Sequence, residues 1–161
     1  MLKAISTFVT ELLGREEEDE VHFDDTDERL AAAALLFHAV AIDGSIEDVE
    51  REKLHVLLSD RFELSSSDTD TLIEEARERD LESVDLHGFT SVLNRALDEE
   101  GKQRIIEMLW EIVMSDGEIH EFEDNLVWRV AELLGVSTRD RMVLRKRVLE
   151  RRAMTESSNS A

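Results

Sequence analysis

Apolar residues recur every three or four positions along most of the chain, the spacing of helices that bury one face. The pattern predicts helices over residues 27–42, 46–61, 68–79, 84–97, 102–115, 119–134 and 138–152. Leu2, Ile5, Phe8, Val9, Leu12 and Leu13 add a short amphipathic helix over residues 1–14, closed by Gly14. Ser67 and Ser137 suit the N-cap position, where a side-chain oxygen accepts an otherwise unpaired helix N–H, and Ser137 with Asp140 resembles a capping box. Gly101, Gly117 and Gly135 fall where helices should stop. No alternating Val/Ile/Thr-rich run reads as a strand. The expected fold is all-α: a helix bundle over residues 27–152, with a polar, disordered tail over 153–161.

Composition sharpens this picture. A chain of 161 residues has room for one domain and can bury a core without crosslinks. It has no Cys, which removes disulfides, thiolate metal sites and cysteine nucleophiles. No apolar run approaches a membrane span, and Glu11 interrupts the only stretch resembling a signal peptide. The expected location is the cytoplasm. A net charge of −20 argues against nucleic acid as a partner, because phosphates repel such a surface.

The charge is unevenly spread. Residues 16–28 carry nine carboxylates, a composition that reads as a solvated linker, so residues 15–28 are expected to separate the first helix from the body. The last helix is the opposite, with seven basic and two acidic residues between Arg139 and Arg152. It suits an acidic partner, or else it neutralises the chain's own acidic surface. The first helix lacks the basic flank of a membrane-surface helix, so it is expected to pack on the body or form a dimer contact.

The most informative feature is a duplication. Leu36 to Glu50, containing Asp43-Gly44-Ser45-Ile46 and Glu50, overlies Leu109 to Glu123, containing Asp116-Gly117-Glu118-Ile119 and Glu123, at an offset of 73 residues. After a one-residue deletion, Phe62-Glu63-Leu64-Ser65 overlies Leu134-Gly135-Val136-Ser137. The expectation is two pseudo-symmetric halves, each with a helix, an Asp-Gly turn and a helix. With about 100° per residue, Glu50 falls about 40° from Ile46, on the face of Val49, Leu54, Leu57 and Leu58. Glu123 falls likewise among Ile119, Leu126, Val127 and Val130. A carboxylate on a buried face must be paired, protonated or coordinated.

The spacing Asp-Gly-x-Ile-x₃-Glu matches the second half of a calcium-binding EF-hand loop, but Ala39, Ala41, Ile112 and Met114 stand where its first ligands belong, which excludes a true EF-hand. Three readings remain. The glutamates accept turn N–H groups or pair with Arg; Asp43, Glu50, Asp116 and Glu123 converge on a divalent cation, with His120 as a further ligand; or they form a carboxylate-bridged redox centre, for which Glu-x-x-His is absent from the expected inward positions. His38 and His87 border apolar stripes and read as boundary residues, and Trp110 and Trp128 have core spacing. No nucleophile, Ser/His/Asp set or phosphate-binding loop is evident.

The doubled Asp-Gly-x-Ile-x₃-Glu, Leu30-Ala-Ala-Ala-Ala-Leu-Leu, Asp85-Leu-His-Gly-Phe-Thr-Ser and Leu133-Leu-Gly-Val-Ser resemble the TerB-like, tellurite-resistance family. The related N-terminal domain of the DnaJ-like co-chaperone DjlA belongs to the same group. The resemblance implies an all-helical bundle with an acidic, divalent-metal-binding centre at Asp43, Glu50, Asp116 and Glu123. It also implies a non-enzymatic accessory of stress or metal-resistance systems, with a protein partner that is often membrane-associated and no small-molecule substrate. The competing expectation is a helical adaptor whose carboxylates are structural.

Overall fold

The computed structural model describes residues 23–42, 46, 48–82, 85–115 and 121–159, apart from the side chains of 121–122 and 156–159. Its described elements are α1 (Glu28–Ala41), α2 (Asp48–Phe62), α3 (Ser66–Glu82), α4 (His87–Ala96), α5 (Glu99–Val113), α6 (Glu121–Leu134) and α7 (Thr138–Asn159). There is no strand among the described residues, as the sequence predicts.

Two helices hold the centre. Leu30 to Phe37 of α1 are buried without a break, because α2, α3, α4 and α5 all pack against this helix. The four alanines Ala31–Ala34 leave little side chain between backbones, so neighbours on several sides can approach together. The other central helix is α5, with Ile105, Ile106 and Met108–Trp110 in the core and α6 and α7 against it. Thus α1 with α2 and α3 is echoed by α5 with α6 and α7. The short α4 has no counterpart and bridges α1 to α6, where Asn94 donates to the Leu133 carbonyl at 2.9 Å.

The helix ends follow the duplication closely. Ser65 Oγ accepts the Asp68 N–H and Ser137 Oγ accepts the Asp140 N–H, both at 3.1 Å. The first cap is therefore Ser65 rather than Ser67, and α3 begins two residues before the predicted start. The preceding helices end alike: Glu63 has φ 52° and Gly135 φ 73°, with Leu64 N–H bonded to Ser59 O and Val136 N–H to Ala131 O. This is the Schellman closure, in which one left-handed residue lets the chain cap its own last carbonyls.

Four other expectations change. Gly101 does not stop a helix: it lies in the first turn of α5, its N–H bonded to the Asp98 cap at 2.8 Å, and a Cβ there would lie 3.1 Å from that of Leu97. The acidic stretch is not a free linker to residue 28. Phe23 is buried under the Arg29 guanidinium, its N–H reaches Glu75 Oε2 at 3.2 Å, and Asp25 pairs with Arg79. Residues 153–159 continue α7 instead of forming the disordered tail, since no Gly or Pro interrupts them and Thr155 Oγ1 bonds back to the Arg151 carbonyl. Trp110 is core as expected, whereas Trp128 is 48 % exposed, with the Arg141 guanidinium 4.4 Å from its ring centroid. The predicted helix over 1–14 lies outside the described residues.

Candidate functional site

In sequence, the two Asp-Gly pairs follow the two central helices. Helix α1 gives way at Ile42 and α5 at Met114, where Ser115 Oγ closes on the Ile112 carbonyl at 2.7 Å. Asp43, Asp116 and His120 lie outside the described residues, so the structure brings Glu50 and Glu123 alone of the five predicted ligands into view. Each occupies the first turn of the helix after its turn, and each makes a polar interaction.

Their surroundings differ. Glu123 is 7 % exposed and shares its face with Leu126, Val127 and Val130, all in the core. Glu50 is half-buried, because the inward face of α2 centres on Leu54 and Leu58, while Val49 points outward at 61 % exposure. That rotation places Glu50 at the edge of the buried stripe, where the sequence puts it in the middle. Among the described residues, no three His, Asp or Glu side chains are grouped as metal ligands would be. Nor do His38 and His87 form a site: His38 Nδ1 meets Asp80 Oδ1 at 2.8 Å, tying α1 to α3, and His87 is exposed at the start of α4.

A second charged feature was not singled out in the sequence. Helices α2, α5 and α7 enclose a groove of about 540 Å³, lined by Leu57, Arg61, Arg104, Glu107, Glu111 and Arg151 among others. Glu107 and Glu111, one turn apart on α5, are both met by the Arg151 guanidinium; its contact to Glu111 is 3.1 Å. Arg147 adds a longer contact to Glu107, at 3.9 Å. Burial pushes the Glu111 carboxyl above the usual carboxylate range, against the opposing pull of Arg151 and Lys53. The signal in the sequence is a pair of matched four-residue spacings, Glu107/Glu111 and Arg147/Arg151, which are legible once α5 and α7 are known to be neighbours. The basic last helix thus neutralises the chain's own carboxylates along this side.

Comparison with known proteins gives two matches. The family model described as tellurite resistance protein TerB matches residues 29–146. Among solved structures, the crystal structure of a protein of unknown function, PG1108 from Porphyromonas gingivalis W83, is similar with a TM-score of 0.56 at 22 % identity. The alignment covers 79 % of this chain and 98 % of that one, and carries the fold alone. No curated protein matches the chain.

Proposed function

This chain belongs to the tellurite resistance protein TerB family, and on that premise we propose that it is a non-enzymatic, divalent-cation-binding protein of the tellurite-resistance and stress-response type. The observation that carries the reading is Glu123. A carboxylate that is 7 % exposed on an otherwise apolar helix face, six residues after an Asp-Gly pair, sits in the ligand position of a half calcium loop. Glu50 repeats the position in the other half. The donor set Asp43, Glu50, Asp116 and Glu123 offers carboxylate oxygen throughout, which suits calcium, magnesium or manganese; His120 would widen the range toward zinc.

A bound cation would offset the repulsion and desolvation of these carboxylates and tighten the helices that carry them. Its action would be a change in the stability and rigidity of the bundle, read by a protein partner in the cytoplasm or at a membrane. Calorimetric titration of chelator-treated protein with calcium, magnesium, manganese and zinc tests this. A saturable heat for one ion, lost in Glu123→Gln, supports the reading, whereas weak heats that are equal for all four ions and unchanged by the substitution refute it.

One observation favours a second reading, a helical adaptor with purely structural carboxylates. Helix α7 exposes Met142, Val143, Leu149 and Met154 to solvent.

A further inference from the structure

Arg29, Arg77, Arg79, Arg104 and Arg151 each pair with a carboxylate. The stretch from Arg129 to Lys146 behaves otherwise: Arg129, Arg139, Arg141, Arg145 and Lys146 make no ion pair among the described residues, although the chain carries a net charge of −20. Two of these cations lie on tryptophans. Arg141 is 2 % exposed, its guanidinium is 4.4 Å from the Trp128 ring centroid, and its buried Nη1 has no hydrogen-bond partner. Arg145, one turn later and half-buried, stands 5.6 Å from the Trp110 ring centroid. A guanidinium keeps its charge at every physiological pH, and burying it without a counter-ion is costly, so an aromatic face meets only part of its need. The stacking also orders Trp128, a ring that is 48 % exposed.

These residues form one strip. At about 100° per residue, Arg145, Leu149, Met142 and Lys146 follow Arg141 around α7 in that order, all within about 140°. Along the axis they span about 12 Å. Met142 and Leu149 are 50 % and 41 % exposed, and Lys146 is exposed. Val143 and Met154 lie on another side of the helix and take no part. The strip therefore runs from Trp128 on α6 across Arg141 to two exposed apolar side chains, with Arg145 on one flank of them and Lys146 on the other. Trp, Met and Arg are the residue types that concentrate binding energy at protein interfaces.

We infer that this strip docks an acidic, amphipathic segment of a protein partner, whose apolar side chains cover Trp128, Met142 and Leu149 and whose carboxylates meet Arg141, Arg145 and Lys146. A carboxylate beside the Trp128 ring would bring the counter-charge that the described residues do not give Arg141, and guanidinium forks accept such a group through two parallel hydrogen bonds. Other occupants fit less well. The same strip of a second copy would set cations against cations. Duplex nucleic acid and an anionic bilayer meet a molecule of net charge −20, and phosphates leave the apolar part of the strip uncovered. The inference does not depend on whether the Asp-Gly pairs hold a cation.

The test is fluorescence anisotropy of a labelled peptide with Glu, Leu and Phe at helical spacing, titrated with the full chain in the presence of chelator. The expected result is saturable binding that weakens about tenfold or more in Lys146→Glu and in Trp128→Ser, two exposed positions on different helices, with melting temperatures showing each variant folded. Val56→Glu, exposed on α2, should bind as the parent does. Salt near 1 M should weaken the parent's binding severalfold, because screening then limits the reach of exposed charges to about 3 Å. No saturable binding, equal binding by the strip variants and the parent, or equal affinity for a peptide with Ser in place of Leu and Phe would overturn the inference. So would tighter binding of duplex DNA or anionic vesicles than of the peptide, or self-association that the same variants abolish.

Discussion

Glu63 and Gly135 hold equivalent places in the duplication and the same left-handed conformation, but only one of them is the residue that conformation favours. An L side chain in that region costs about 1–2 kcal/mol. Gly135 has open space where a Cβ would go, so Gly135→Ala should destabilise by about 1 kcal/mol through the backbone alone. Glu63→Gly should do the reverse, raising stability by about 0.5–1 kcal/mol. Chemical denaturation of the two variants checks both signs, and a destabilised Glu63→Gly would mean that the side chain contributes something the backbone argument omits. The same pair shows what sequence can and cannot convey. Gly135 announces a helix end by its identity, whereas Glu63 does not, and its conformation is legible only through alignment with its repeat partner. For the candidate site the limit is different. A helical wheel ranks Glu50 and Glu123 as equals, yet tertiary packing rotates α2 enough to expose Val49 and bring Glu50 to the boundary. A wheel shows which residues share a face but not which part of that face neighbouring helices cover.

At the level of elements, the union of α5 and α7 is held by ion pairs from Arg147 and Arg151 to Glu107 and Glu111. Arg151→Ala removes the one guanidinium that meets both Glu107 and Glu111 and leaves two half-buried carboxylates a turn apart. A loss of about 1 kcal/mol at pH 7 is expected, since the arginine itself is half exposed. The loss should shrink toward acid, because Glu111, raised by burial, gives up its charge there. Glu111 has its own pH signature. Its carboxyl is raised by burial, so its stabilising contribution is present in acid, below the unfolded-state value, and disappears as pH rises through the folded value. Asp27 behaves oppositely. The Arg29 guanidinium lowers it, so its contribution is present above the unfolded-state value and is lost as pH falls through the folded one. Glu111→Gln should therefore gain stability relative to the parent at pH 7 and lose that gain near pH 4, as urea midpoints at both pH values would show. A variant less stable than the parent at pH 7 would mean that the Arg151 pairing outweighs burial. Much of this union was readable as composition, because the basic bias of the last helix is plain in the sequence. Its target was not, because nothing in a one-dimensional pattern states that α7 lies on α5.

At the scale of the whole molecule, the duplication explains why so much of the architecture could be read. Seven predicted helices over residues 27–152 correspond to the seven described, with ends shifted by a few residues, and the repeated Ser caps and Schellman closures fall at matching positions. The unbroken burial of α1 was less legible. A run such as Leu30 to Phe37 satisfies a helical pattern whichever way it faces, and only the surrounding α2, α3, α4 and α5 make it central. The proposed function rests on the same symmetry, because one glutamate six residues after an Asp-Gly pair would be an isolated feature, whereas the sequence repeats it in both halves. The most direct test is thermal unfolding of chelator-treated protein with added calcium, magnesium, manganese or zinc, at an ionic strength that screens surface charge. A saturable rise in Tm for a preferred ion, abolished in the Glu50→Gln, Glu123→Gln double variant while the metal-free protein stays folded, is the expected result. A small rise common to every divalent ion and unchanged by the double variant would contradict the account, and would assign the effect to counterions gathered by a chain of net charge −20.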